Sequence, residues 1–395
     1  MKRRDFLAAS AVLALLASPP ANAAKKAIRK NHPPKPSARK PTRKKAADAS
    51  QTTAAEETRN VISLPDEPLA HWRAYDIRST IALRQINGKA RLWIPLAQYK
   101  DTAWERSLGH NWQGNFENAG IYRDPVAEME VFYADWPEGT VNPQLQIVSQ
   151  IATQDRHFDI TRRGAVAERT EVLRRCLQST SLVPTDGIVR HTAERAIGRV
   201  RDPVAQGKAI YDWVVDNVSF DPQMKGVGNV NIGRMLESGN LNGRSADIAL
   251  LFVGMCRSIG IPARPVFGLR MDSSRLFGSL GTSGNLSTDQ HCRAEFYTPG
   301  YGWIPVEPSD VSKAIRDEHL IIGDPKLTVL KKLLFGFWEM NWISFNVAQD
   351  VSLRGSTGQT LPFLIYPVVE TAGGRFNSLD SSHFSYSINA SRTDI

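Results

Sequence analysis

The segment Ser245–Ile259 constrains the fold of this chain more than any other. Its sequence, SADIALLFVGMCRSI, is apolar around almost the whole circumference of an α-helix, and a helix without a polar face has to be buried on all sides. Gly260-Ile261-Pro262 ends the helix, because Gly and Pro commonly follow helix C-termini. Residues 263–270 continue as a strand. The sequence therefore predicts a central, buried helix followed directly by a strand.

Residues 60–160 have the pattern of an all-β domain. Apolar and polar residues alternate in part along Ala74–Ile86, and Asn87-Gly88 is a favoured two-residue hairpin turn, after which Ala90–Leu96 returns as a strand. Further strands are predicted at Glu128–Trp136 and Gln144–Ala152. We expect a β-sandwich or a strongly curved sheet here.

Helical periodicity then replaces the strand pattern. Helices are predicted at Ala167–Leu177, Val189–Arg199 and Pro203–Asn217. The Gly- and Ser-rich residues 272–289 form a long loop of the kind that often borders a binding site. Two strands follow this loop, Cys292–Thr298 and Trp303–Val306.

The first 23 residues are organised like an export signal. Lys2-Arg3-Arg4 precedes an apolar run from Phe6 to Ala17, and Ala21-Asn22-Ala23 is a small-x-small cleavage site. The arginine pair followed by Asp5-Phe6-Leu7 resembles a twin-arginine signal, which exports folded proteins. The alternative is an ordinary export signal with a chance arginine pair. Both predict a periplasmic or cell-envelope protein, and we expect no transmembrane span in the mature chain.

Residues 24–59 are rich in Pro, Lys and Ala, and we expect them to form a basic, disordered linker. Residues 24–48 carry ten Lys/Arg and one acid, which accounts for the whole net charge of +9. The folded part is therefore close to neutral, and this argues against a nucleic-acid-binding face. The tail either adheres to an anionic envelope surface or is a solvated spacer, and the sequence leaves both open.

The three cysteines leave open one disulfide with one thiol left over, and the sequence does not say which pair, if any, would form it. Cys176, Cys256 and Cys292 are too few and too scattered for a disulfide framework or a zinc site. The sequence implies no metal and no organic cofactor.

Two blocks of sequence resemble the core of the transglutaminase-like superfamily, which has a papain-type fold. The first runs from Gly243-Arg244-Ser245 through the apolar helix to Gly260-Ile261-Pro262-Ala263-Arg264. It is similar to the family's Gly-x-Cys turn, long helix and Gly-Ile-Pro-Ala-Arg ending. The second block comprises His291-Cys292-Arg293-Ala294-Glu295-Phe296-Tyr297, Gly302-Trp303 and Val306-Glu307-Pro308. The resemblance covers about residues 185–310.

The resemblance implies an α+β fold. A papain-like transglutaminase core, with its buried helix packed on an antiparallel sheet, would follow an all-β sandwich-like domain. The predicted segments are a twin-arginine-type signal peptide (1–23), the linker (24–59), the β-sandwich-like domain (60–160), the transglutaminase-like core (161–310) and a C-terminal extension packed on the core (311–395).

The resemblance also implies a catalytic triad with two altered positions. Ser245 stands where the family has its nucleophilic cysteine, His291 matches the family's histidine, and Glu307 stands where aspartate is usual. A serine hydroxyl is not ionised in advance as a thiolate is, so it needs the histidine to accept its proton and an oxyanion hole to stabilise the intermediate. The Ser245 N–H would be one oxyanion donor, and Asn240 or Asn242 the second.

Two functions remain open from the sequence. Ser245 before an apolar helix, with Asp247 two residues on, is also typical of a plain helix N-cap. In the first hypothesis, the protein is an exported hydrolase or acyltransferase that uses a Ser-His-Glu triad on amide or peptide bonds, with envelope peptides or peptidoglycan-like material as substrate. In the second, it is a catalytically inactive transglutaminase-like domain that binds a peptide or glycan, or scaffolds envelope proteins.

Overall fold

The computed structural model describes residues 71–86 and 88–393. The predicted signal peptide, the predicted linker and Asn87 of the predicted turn lie outside the described residues. The helices are α1 (Thr170–Arg175), α2 (Gly187–Ile197), α3 (Pro203–Asn217), α4 (Ile232–Ser238), α5 (Ser245–Ser258), α6 (Pro308–Asp317) and α7 (Pro325–Leu333). Among the described residues, none of these helices has both the length and the apolar character needed to cross a bilayer.

The strands follow the same chain order. They are β1 (Arg73–Leu83), β2 (Ala90–Pro95), β3 (Glu105–Gly114), β4 (Asn118–Asp124), β5 (Met129–Trp136), β6 (Gln144–Thr153), β7 (Arg156–His157), β8 (Ser219–Phe220), β9 (Asn242–Gly243), β10 (Ala263–Arg270), β11 (Gln290–Thr298), β12 (Gly302–Val306), β13 (Phe337–Trp338), β14 (Trp342–Asn346), β15 (Val368–Thr371), β16 (Gly374–Asn377) and β17 (Phe384–Thr393).

Two antiparallel sheets form a β-sandwich. One has the strand order β17-β1-β6-β3, and the other has the order β16-β15-β2-β5-β4. Side chains from both sheets, including Ile81, Phe132 and Leu145, share one buried apolar cluster. The sandwich-like domain is therefore confirmed, and four of its strands, β1, β2, β5 and β6, lie where the sequence predicts them.

The predicted hairpin between the first two strands is wrong. β1 pairs with β6 and β17, whereas β2 pairs with β5 and β15. The connection between β1 and β2 therefore passes from one sheet to the other instead of folding back within one sheet. Alternating apolar residues reveal that a segment is a strand, but they do not reveal its hydrogen-bonding partner.

Residues 311–395 differ in part from the predicted extension on the core. Leu327 and Leu330 of α7 do join the main core, and β14 is an edge strand of the core sheet. The later strands belong to the β-sandwich instead of the core. β15 pairs with β2, and β17 pairs with β1 in a register that runs from Ala74 opposite Thr393 to Leu83 opposite Phe384. Residues 368–393 therefore complete the β-sandwich, a long-range pairing that leaves no local signal in the sequence.

The core has the predicted arrangement of a buried helix on an antiparallel sheet. The sheet has the order β12-β11-β10-β14, and α5 packs on β10 and β11. Helices α2, α3, α4 and α6 contact other sides of α5. Every residue of α5 is buried, as its apolar circumference requires.

A carboxylate fixes the first turn of α5. Asp247 accepts hydrogen bonds from the backbone N–H of Arg244 at 2.9 Å and of Val230 at 2.7 Å. A backbone hydrogen bond adds to these contacts: the N–H of Ala246 donates to the carbonyl of Val227 at 2.8 Å. The start of the helix is thereby fixed against an upstream loop, which matters because Ser245 is the first helical residue.

Buried ion pairs join the β-sandwich side of the structure to the core. Glu295 of β11 pairs with Arg156 of β7 and with Arg264 of β10, each at 2.6 Å, and Arg264 also lies 3.3 Å from Glu128. Burial alone would raise the pKa of Glu295, but the two arginines outweigh burial and hold that pKa below its ordinary value. Loss of Glu295 would take from the buried Arg156 the carboxylate with which it pairs, and a buried charge that loses its partner is strongly destabilising.

We expect the substitution Asp247→Asn to destabilise the protein. The carboxylate accepts from two N–H groups through two oxygens, whereas an amide has one oxygen and would turn its NH₂ toward the other donor. One N–H then loses its partner, at a cost of about 1–3 kcal/mol in the free energy of unfolding. Urea denaturation measures this loss.

Asp202→Asn is the matched control. Asp202 caps α3, and among the described residues its side chain accepts a single N–H, that of Ala205 at 2.8 Å. Asn caps helices about as well as Asp. Its free energy of unfolding should change by less than about 0.5 kcal/mol. Equal losses in the two variants would contradict the structural role given to Asp247.

Candidate active site

Ser245 lies at the N-terminal end of α5 and is 4% exposed. Its Oγ accepts a hydrogen bond from the backbone N–H of Cys292 in β11, at 3.2 Å. Arg244, and not Ser245, occupies the N-cap position, and Asp247 accepts the N–H of Arg244. The structure therefore does not support the N-cap interpretation of Ser245, because the hydroxyl contacts the neighbouring strand instead of its own helix.

His291 and Glu307 are in direct contact, with 3.0 Å between Nε2 and Oε2. The paired strands β11 and β12 bring them together, since His291 lies in β11 and Glu307 directly follows β12. In this contact the carboxylate is the natural acceptor and Nε2 the donor, which leaves Nδ1 as the ring nitrogen directed to other partners. Among the described residues, no hydrogen bond uses Nδ1, and none joins the His291 ring to Ser245 Oγ.

Glu307 is 1% exposed and has several partners. Its Oε1 accepts from Ser309 Oγ at 2.7 Å and from the N–H of Asp310 at 3.3 Å, so Glu307 is the N-cap of α6. Arg293 Nε lies 3.1 Å from Oε2 as an ion pair, without the alignment of a hydrogen bond. The extra methylene relative to aspartate lets one carboxylate fold back over its helix and still reach the imidazole.

A second carboxylate faces the same ring nitrogen. Asp310 Oδ1 lies 3.6 Å from His291 Nε2, and Arg270 Nη2 donates to both oxygens of Asp310 at 2.8 and 2.7 Å. Burial would raise the pKa of Asp310, but the charge of Arg270 outweighs burial and lowers that pKa to about 2. Asp310 is therefore ionised at neutral pH.

The sequence analysis missed Asp310 and Arg270. The signal for Asp310 was the start of a helix, because Pro308 at the first helical position and an acid in the first turn are typical of a helix N-terminus. No comparable signal marks Arg270, which reaches Asp310 across the fold. Trp342 of β14 was also not assigned to the site, although its ring packs edge-on against His291 with 5.7 Å between centroids.

His291, Glu307 and Asp310 are also close enough to be considered as metal ligands. One ligand atom from each lies within 4.8 Å of the others. Both carboxylates, however, already pair with guanidinium groups, Glu307 with Arg293 and Asp310 with Arg270. The negative charge that would attract a cation is thereby balanced, so this cluster has the chemistry of an ion-pair network around an imidazole.

The predicted oxyanion donors are only partly placed at the site. The backbone N–H of Ser245 lies at the helix start, and among the described residues no hydrogen bond uses it. Asn240 and Asn242 are exposed and bond to each other, from Nδ2 of Asn242 to Oδ1 of Asn240 at 2.8 Å. Neither side chain contacts Ser245 among the described hydrogen bonds, so their role as donors stays a prediction.

Two solved structures have a related arrangement at low similarity. A candidate cysteine protease from Cytophaga hutchinsonii is 14% identical with a TM-score of 0.49, covering 82% of this chain and 89% of that chain. The periplasmic domain of TgpA from Pseudomonas aeruginosa is 15% identical with a TM-score of 0.33, covering 66% of this chain and 90% of that chain. At these scores neither structure bears on function.

Comparison of the sequence with protein families and with known proteins is more informative about the family than these structures are. Residues 190–308, which contain Ser245, His291 and Glu307, match the family model described as the transglutaminase-like superfamily. An uncharacterized protein of Haemophilus influenzae is 31% identical over 319 residues, covering 76% of this chain and 85% of that protein. With the buried helix and the antiparallel core sheet in place, residues 190–308 are identified as a domain of the transglutaminase-like superfamily.

Proposed function

We propose that this protein is an exported hydrolase or acyltransferase that acts on amide or peptide bonds in the cell envelope. The observation that carries the proposal is the 3.0 Å contact between His291 and the buried Glu307, beside a buried serine at the start of α5. Export, by a twin-arginine-type route, rests on the composition of residues 1–23.

Ser245 would replace the cysteine that the superfamily has at this position, and Glu307 would replace the aspartate. This exchange changes how the nucleophile is activated. A cysteine next to His⁺ and a helix N-terminus is already a thiolate, whereas a serine loses its proton only as it attacks. The orientation and tautomer of His291 therefore become more important, and Glu307 supplies both by accepting from Nε2.

The proposed reaction gives each of these residues one role. Ser245 Oγ attacks the carbonyl carbon of the scissile amide while His291 Nδ1 takes its proton, and Glu307 stabilises the imidazolium. The Ser245 N–H and the positive end of α5 stabilise the oxyanion. The intermediate collapses and expels the amine, which takes the proton from Nδ1, and leaves an ester on Ser245. Water, or a second amine in acyl transfer, then attacks the ester while His291 takes its proton. The bond between the acyl carbon and Ser245 Oγ breaks, His291 returns the proton to Oγ, and the acid or the new amide leaves.

The proposed location suggests the substrate and the role of the tail. Envelope peptides and peptidoglycan-like stems contain the amide bonds that such a triad would cleave. The basic residues 24–48 would hold the enzyme against anionic lipid or glycan, since clustered Lys and Arg side chains are attracted to such surfaces within a Debye length.

One observation favours the alternative of a non-catalytic binding protein. Ser245 Oγ bonds to the N–H of Cys292 and, among the described residues, has no bond to the His291 ring. A serine used only to hold α5 on β11 would make this contact. The labelling experiment below separates the two functions, because a binding protein forms no covalent adduct at Ser245.

We expect a fluorophosphonate to label Ser245. Such probes phosphonylate serines whose proton a neighbouring histidine removes, with loss of fluoride. Mass spectrometry of proteolytic peptides should place one adduct on Ser245, and Ser245→Ala should abolish it. Ser258→Ala is the matched control, because Ser258 is a buried serine at the other end of the same helix. An unlabelled wild type, or a label that survives Ser245→Ala, would rule out serine catalysis.

We also expect the substitution Ser245→Cys to create a reactive thiol. Burial raises the pKa of Cys176, Cys256 and Cys292. A thiol at position 245 would instead lie at the N-terminus of α5, against the residue that follows His291, and a helix N-terminus lowers the pKa of a thiol. Iodoacetamide at pH 7 should alkylate the introduced thiol at least about tenfold faster than the native thiols.

The further substitution Glu307→Gln tests the orienting carboxylate. In the Ser245→Cys background it should slow alkylation by about tenfold, because an amide can donate to Nε2 and so favour the wrong tautomer. Glu307→Asp is the control that keeps the charge, and it should retain most of the rate. A rate that is unchanged by Glu307→Gln would show that Glu307 does not act through His291.

A further inference from the structure

An open groove is lined by Phe220 of β8, the strand that pairs with β9 shortly before Ser245. It has a volume of about 850 Å³ and is bounded by the end of α3, β8, α6 and α7. Its apolar lining includes Val218, Phe220, Ile315, Leu320, Ile322 and Leu327. Ile322 on its rim is 98% exposed. Volumes of about 300–1,000 Å³ with mostly apolar walls are usual for ligand sites.

Backbone pairing connects the groove to the proposed nucleophile. β8 pairs in parallel with β9, so Phe220 in the groove wall lies next to Gly243, two residues before Ser245. The N–H of Asp221 donates to the carbonyl of Gly243 at 2.9 Å. α6 gives a second connection, because it begins at Glu307 and Ile315 faces the groove. At 1.5 Å per residue, the helix extends roughly 12 Å between these two residues, the length of about four extended peptide residues.

A cation without a carboxylate partner lies at the junction of the groove and the site. The Arg244 guanidinium stacks on the Phe220 ring with 4.9 Å from Cζ to the centroid, and it donates to the carbonyl of Pro222 at 3.2 Å. Within the part of the chain that the structure describes, no ion pair involves Arg244. The Arg244 guanidinium can therefore donate two parallel hydrogen bonds to the carboxylate of a ligand.

The other charges of the groove are already paired. The Cζ atom of Arg316 lies 5.4 Å from the centroid of the Phe220 ring, and its guanidinium pairs with Asp317. Lys331 of α7 pairs with Asp216 of α3 at 2.6 Å. The groove thus offers apolar walls with balanced charges, and Arg244 adds an unbalanced positive charge at the end nearest to Ser245.

We propose that this groove binds the acyl-donor peptide, with an apolar side chain of the substrate between α6 and α7 and a substrate carboxylate on Arg244. The inference rests on the proposed function and names its substrate class: a short peptide that carries both an aliphatic residue and a carboxylate group. The groove fixes the direction in which the substrate leaves the Ser245 turn, along α6 and toward α7.

The test measures binding on the full chain carrying Ser245→Ala, so that no turnover intervenes. Fluorescein-labelled pentapeptides containing Leu-Leu with a free C-terminal carboxylate are compared by anisotropy with the same peptides amidated, and with Ser-Ser in place of Leu-Leu. The Leu-Leu acid should bind at least about tenfold more tightly than the Ser-Ser acid. It should also bind about fivefold more tightly than its amide.

Two variants assign these preferences to the groove. Ile322→Asp should remove most of the preference for the Leu-Leu peptide over the Ser-Ser peptide. Val166→Asp is the control and should leave this preference unchanged, because Val166 is 93% exposed and lies outside the groove. Arg244→Met should remove the difference between acid and amide. None of the three substituted positions is fully buried. Circular dichroism confirms that each variant is folded.

Each result decides one part of the inference. The absence of a Leu-Leu preference, or its persistence in Ile322→Asp, overturns the apolar groove as the binding site. An acid preference that persists in Arg244→Met overturns the carboxylate contact. Failure of fluorophosphonate labelling with these preferences intact would instead overturn the enzymatic function and leave a peptide-binding groove, so the two failures are distinguishable.

Discussion

A helix with no solvent-facing side determines most of this architecture. Because every residue of α5 is buried, a sheet has to lie against it and helices have to contact its other sides. Chemistry can then occur only near an end of the helix. At the N-terminal end, unpaired N–H groups and the positive end of the helix dipole favour developing negative charge. Ser245 lies at that end, next to β11.

The site is built from buried charges that compensate one another. One imidazole, two carboxylates and two guanidinium groups lie together, and each carboxylate has its own arginine. Such groups are costly to bury singly and rigid when paired. The imidazole of His291 is therefore held by partners that are themselves fixed, which is the preorganisation that a serine nucleophile requires more than a thiolate does.

Local patterns predicted the parts of the fold whose signals are local. The helix expected at Ser245–Ile259 is observed at Ser245–Ser258, because an apolar circumference is visible in one segment. β3 escaped prediction since most of its side chains are exposed and show no alternation. The proximity of His291 to Glu307 followed from the resemblance to a family. The contacts of Arg270 with Asp310, and of Ser245 with Cys292, depend on packing between distant segments, so no sequence window contains them.

The pairing of β17 with β1 has a consequence for biosynthesis. β1 lies between β6 and β17 in its sheet, so the ribosome makes one of its two neighbours only after the whole transglutaminase-like region has been made. The β-sandwich therefore reaches its final strand order only after β17 has been made, which is more than 200 residues after β6 along the chain. A nascent chain leaves β1 with an open edge for this whole period, which is when an unpaired strand is most prone to associate with other chains.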